Sequence, residues 1–146
     1  MSDAREQMKK ALKDVVVPRL RESGFAGSLP HLRRRRPDRI DLFTFQFDRH
    51  GGGFIIELAQ CAPEGFTTHW GKQIAPDKVT PSDLPLTQRA RIQPRVGSGT
   101  DSWFRYDCAA GSEIFTQTAE SVLPFLGQAE RMFDDFDHVQ KIGGAA

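Results

Sequence analysis

The chain has 146 residues, 38% of them hydrophobic and 27% charged, with a formal net charge of +1. That length fits one domain built on one core, and no apolar run approaches the roughly 18 residues that a membrane span needs. The opening MSDAREQMKKALKD is charged from its third residue and lacks the apolar stretch of a secretory signal. The expectation is a cytoplasmic protein: a single globular domain over residues 1–146, with a disordered tail at about 142–146. The charge is uneven. Residues 1–40 hold 11 Lys and Arg against 5 Asp and Glu, whereas residues 41–146 hold 9 against 14. A dedicated nucleic-acid binder is basic over its whole domain. This polarity predicts either a basic end that meets an acidic partner or opposite charges that meet within the fold.

Residues 3–23 predict a helix, with Met8, Leu12, Val15, Val16 and Leu20 recurring at spacings of three and four. Ser2 or Asp3 can cap it and Gly24 can stop it. Pro18 removes one helical donor and predicts a kink or an early end. Residues 29–36, LPHLRRRR, predict a first strand, in which Arg33 and Arg35 share one face and Arg34 and Arg36 the other. Residues 39–48 and 53–61 predict a hairpin. With Asp48 opposite Gly53, Phe47 faces Phe54, Phe45 faces Ile56 and Phe43 faces Leu58, while Thr44, Gln46 and Glu57 fall on the other side. A slip by one residue would expose the three phenylalanines, so the faces are strongly specified.

Residues 62–87 contain Pro63, Pro76, Pro81 and Pro85, expose Trp70 as a candidate anchor, and show no sustained period. They predict a long loop, of the kind that is often functional. Residues 88–94, QRARIQP, alternate again, with Ala90 and Ile92 on one side and Arg89 and Arg91 on the other. After the turn-rich RVGSGTDS, residues 103–107, WFRYD, predict a short aromatic strand. From Ser112 the helical stripe returns through Phe115, Ala119, Val122, Leu126, Ala129, Phe133 and Phe136, divided near Pro124. The fold class is therefore α+β: an antiparallel sheet of four to five strands with N-terminal and C-terminal helices packed on one face.

These segments resemble a bacterial family of small domains of unknown function, the one numbered 4304. The matching pieces are VVVPRLRESGF in the first helix, FTFQFD and FIIEL in the hairpin, RARI followed by DSWFRYD, and LPFL at the last helix. The likeness covers roughly residues 10–135. It implies an α+β fold and carries no catalytic set to transfer.

No catalytic signature stands out. His31, His50, His69 and His138 are far apart, with no HxxxH or CxxC spacing, and there is no GxSxG elbow or phosphate loop. HGGG at 50–53 reads as the hairpin turn. Cys61 and Cys108 read as reduced thiols. The acidic DDFDH, with Asp134, Asp135, Asp137 and His138, reads as a solvated helix face. Neither a metal nor a cofactor is expected. The candidate binding residues are Arg33, Arg35, Gln46, Glu57, Arg89 and Arg91 on the polar sheet face, with Trp103 or Tyr106 at its margin and Trp70 on the loop. Arginines beside an aromatic suit carboxylate, phosphate or exposed-base recognition; the plainer reading is the wet face that antiparallel sheets commonly leave. The leading reading is a non-enzymatic binding domain, an immunity or accessory factor that takes an acidic protein partner or an anionic ligand. The second is an enzyme acting on an anionic small molecule in a pocket floored by Gln46, Glu57, Arg89 and Arg91. The third is nucleic-acid binding through Arg33–Arg36.

Overall fold

The computed structural model describes residues 2–94, 103–107 and 110–145. Its first helical stretch is split. Helix α1 (Ser2–Val15) stops short of Val16, and α2 (Val17–Glu22) restarts with Pro18 in its first turn, where the missing N–H would have had no helical acceptor. The chain then forms β1 (Ala26–Ser28), β2 (His31–Arg35), β3 (Ile40–Phe47) and β4 (Gly53–Cys61). A small separate hairpin follows, β5 (Phe66–Thr67) with β6 (Gln73–Ile74), before β7 (Arg89–Ile92) and β8 (Phe104–Arg105). The main sheet is antiparallel in the order β1-β2-β3-β4-β7, and β8 also pairs with β4. All five segments foreseen as strands are present; the short β1 and the β5–β6 hairpin, within the stretch read as a loop, are additions. The β3–β4 register is the predicted one, Phe43 opposite Leu58, Phe45 opposite Ile56 and Phe47 opposite Phe54. Gly51 and Gly52 make its turn with φ of +91° and +85°, a region in which side chains with a Cβ are strained.

After β8 come α3 (Glu113–Val122), a 3-10 turn at Leu123–Phe125 that contains Pro124, and α4 (Leu126–Ala145). Among the described residues no helix is long and apolar enough to cross a membrane.

The helices cover one sheet face. Phe43, Phe45, Phe54, Ile56 and Leu58 are buried there with Met8, Leu12, Ala119, Val122 and Phe133. Each such side chain contributes about 1.5–3 kcal/mol of burial. At one end of this apolar face sits a charge cluster. Strand alternation puts Arg34, Asp41 and Gln60 in phase with the phenylalanines, in neighbouring positions across β2, β3 and β4. The Asp41 carboxylate is fully buried and accepts from Arg34 Nε at 2.8 Å, Arg36 Nε at 3.1 Å, Arg39 Nε at 3.1 Å and Gln60 Nε2 at 2.9 Å. Arg34 also forks onto Glu130 of α4 at 2.7 and 2.8 Å, and its guanidinium lies over the Phe25 ring. Gln60 donates a second bond to the Phe133 carbonyl at 2.6 Å. This cluster fastens α4 to the sheet. It also answers the charge asymmetry of the sequence: basic β2 meets acidic α4 within the fold.

The opposite face is not the open wet surface that alternation alone suggests. Ile40, Leu42, Ala59 and Cys61 form a second, smaller core with Val79 and Leu84, two residues of the proline-rich segment. Residues 79–84 thus lie across the sheet as a strap. The strap carries its own capping box, with the Thr80 N–H bonded to the Asp83 carboxylate at 2.9 Å. Two arginines from opposite sides of the sheet hold its ends. Arg33 of β2 donates to the Val79 carbonyl at 2.8 Å, and Arg89 of β7 donates to the Leu84 carbonyl at 2.8 Å.

Candidate functional site

On this second face the strand registers arrange side chains in rows that cross the strands, with neighbours in a row about 4.8 Å apart. One row runs Arg33–Leu42–Ala59–Arg89 and lies beneath the strap. The next runs His31–Thr44–Glu57–Arg91, polar at every position over four strands. A row further, Gln46 stands opposite Ile55. His31, Thr44 and Glu57 of the polar row floor a cavity of about 360 Å³, bordered above by Thr80, Pro81 and Ser82 of the strap. The cavity extends round the edge of β3 beyond the start of β2: Pro30 and the helix-side Phe47 give it apolar wall, Arg5 and Lys9 of α1 bring positive charge from the helix side, and Arg89 of β7 brings it on the floor side.

The chemistry of the floor follows from burial. Glu57 is 3% exposed, and a carboxylate withdrawn from water needs partners. It has two: Arg91 Nε donates to Oε2 at 3.1 Å, and Arg89 Nη1 lies 3.6 Å from the same oxygen. His31 Nδ1 and Thr44 Oγ1 are 2.9 Å apart. The His31 pKa is lowered from its ordinary 6.5, first by burial and then by the Arg33 charge, against a smaller opposing pull from Asp83. The ring is therefore neutral at pH 7, and the lining carries three cations against one carboxylate.

This lowering has a consequence for stability. Between the folded-state pKa and 6.5 the unfolded chain binds a proton that the folded chain refuses, so stability is complete above 6.5 and declines as pH falls through that window. Proton NMR of the His31 ring should give a midpoint below 6.5, with His31→Gln removing that part of the acid sensitivity. A midpoint at or above 6.5 would contradict the placement of the ring.

The predicted site residues separate into two groups. Gln46, Glu57 and Arg89 line the cavity, whereas Arg91 does not and only donates to Glu57 from its margin. Arg33 shares the face, but its guanidinium is engaged by the strap carbonyl. Arg35 is exposed and pairs with Ile40, four residues along β2 from His31, or about 13 Å. Trp103 is half-buried beside Gly53 at the sheet margin, and Tyr106 is buried in the helix-side core. Trp70 is 68% exposed on the turn between β5 and β6, with the His69 ring at 4.7 Å, and it lines no part of the cavity.

The four-arginine run is correspondingly not a cationic patch. Arg34 and Arg36 serve Asp41 and Arg33 serves the strap, which leaves Arg35 as the exposed member without such a bond. Sequence reasoning did not single out His31, Thr80, Ser82, Arg5 or Lys9. The Thr80–Asp83 spacing, a capping box bounded by the apolar Val79 and Leu84, was the available sign that the loop is an ordered strap.

A larger cavity, about 1010 Å³, lies between the end of β4 and the β5–β6 hairpin. Cys61, Phe66, Ile74 and Pro76 line much of it, and Glu64 is its one charged lining residue. Burial pushes the Cys61 thiol up to about 11, so it is protonated and a poor nucleophile. Size favours this cleft, whereas convergent polar groups favour the smaller cavity, and the latter is the feature that can orient a ligand. Among the described residues no group of three or more His, Cys, Asp or Glu side chains is placed to hold a metal ion. Of the acidic DDFDH stretch, Asp134 lies 3.8 Å from Arg39, while the side chains of Asp137 and His138 are outside the described residues, as is Cys108.

The chain matches, over residues 15–128, the family described as a domain of unknown function, DUF4304. No curated protein and no solved structure matches it.

Proposed function

The chain belongs to the DUF4304 family, and we propose that it is a cytoplasmic binding domain whose ligand is a small anionic molecule held in the cavity between the polar row and the strap. One observation carries this reading. His31, Thr44 and Glu57 of the polar row underlie a cavity beneath the strap where Arg5, Lys9 and Arg89 outnumber the single carboxylate. Roofing favours a small molecule over a protein surface, because the strap occupies the arginine row that a flat partner would need. The volume suits a ligand of metabolite size. An enzyme acting on the same anion would use the same floor, so anion binding is the property to establish first.

Isothermal titration with inorganic phosphate at low ionic strength tests the reading. Saturable binding is expected, weakened on the order of tenfold by Lys9→Glu, since a charge reversal a few ångströms from an anion costs about 1–2 kcal/mol in wet surroundings. No binding by the wild type, or binding indifferent to Lys9→Glu, would overturn it.

A further inference from the structure

The charges of the cavity are placed unequally, and that inequality narrows the ligand. Arg5 and Lys9 both come from α1 and both lie over the Phe47 ring, at 5.9 and 5.8 Å from its centroid. They mark one end. Toward the floor stands Glu57, whose negative charge repels a second anion. Both of its arginine contacts fall on Oε2, which leaves Oε1 as an acceptor. That oxygen can accept a hydrogen bond from a ligand hydroxyl. An ammonium would serve as donor but would have to stand beside Arg89 and Arg91. The remaining polar groups are neutral and of mixed donor and acceptor character: the hydroxyls of Thr44 and Ser82 and the amide of Gln46. Ser82 Oγ lies 2.8 Å from Thr80 Oγ1, which orients a hydroxyl pair in the roof.

Resting on the anion reading above, we infer that the cavity takes a short anionic polyol, its charged group at the Arg5–Lys9 end and its hydroxyls on Glu57, Thr44 and Gln46. A bare inorganic anion meets only the charged end. A neutral polyol meets only the floor. The two halves together explain why one cavity holds both a cationic mouth and a carboxylate.

Three probes separate the halves: inorganic phosphate, glycerol, and glycerol 3-phosphate, each titrated into the full chain by calorimetry. Glycerol 3-phosphate should bind on the order of tenfold more tightly than phosphate, the return from one or two added hydrogen bonds, and glycerol should give no measurable heat. Gln46→Leu, a change at an exposed strand position, should lower the ratio of glycerol 3-phosphate affinity to phosphate affinity toward one. Equal affinity for phosphate and glycerol 3-phosphate would overturn the polyol inference and leave the anion reading standing. Glycerol binding as tightly as its phosphate, or no binding by any of the three, would overturn both.

Discussion

Replacing Asp41 by alanine should cost the fold about 3–5 kcal/mol, the range measured when one partner of a buried ion pair is removed. The size follows from what remains behind. Arg34 is 7% exposed, and with Asp41 gone its cation would be answered by Glu130 alone, a residue that is 42% exposed. Gln60, buried with its Oε1 already unpaired, would lose the acceptor at Asp41 Oδ1 as well. Arg36 gives the contrast. Its side chain is 40% exposed, so Arg36→Ala should cost less than about 1 kcal/mol, as exposed ion pairs do. Urea unfolding of the two variants beside the wild type measures both costs. Similar small losses would mean that Asp41 is not the hub that joins β2, β3 and α4.

The strap offers the second large effect. Replacing Arg33 and Arg89 together by methionine keeps much of each aliphatic stem and removes both donors to the strap carbonyls. Hydrogen bonds from charged groups are worth about 1.5–3 kcal/mol each. Hydrogen exchange at the amides of Val79, Asp83 and Leu84 should therefore accelerate by about 10- to 100-fold, while the central amides of β3 and β4 keep their protection. Phosphate binding should weaken in the same variant, both because the roof opens and because Arg89 no longer faces Glu57. Unchanged exchange in the strap would show that the burial of Val79 and Leu84 holds it without the arginines.

What the sequence made legible was what a short period and punctuation specify. The phenylalanines of β3 and β4 recur every second residue around a glycine turn, so face and register were both determined, and Pro18 and Pro124 marked the breaks in the two helical stretches. The strap was hidden because Val79 and Leu84 are single apolar residues among prolines and make no period; burial there depends on an apolar patch formed by strands far away in sequence. The Asp41 cluster was readable in principle. Alternation puts Asp41 among Phe43 and Phe45, and Gln60 beside Leu58, and a charged residue on an apolar face demands buried partners. The in-phase position of Arg34 with Leu32 pointed to one of them. The candidate site was half visible. Gln46, Glu57, Arg89 and Arg91 follow from strand phase, whereas Arg5, Lys9 and Ser82 reach the cavity through tertiary packing that no local pattern encodes.

The place where an anion binds is the most direct test of this cavity. Titrating the isotope-labelled chain with inorganic phosphate, and following backbone amide shifts by NMR, locates it residue by residue. The largest shifts should cluster on Arg5, Lys9 and Phe47, at the charged end of the cavity, with smaller ones along the lining residues His31, Thr44 and Glu57. Shifts gathered instead on the Trp70 turn or around Arg35, with Arg5, Lys9 and Phe47 unmoved, would contradict it.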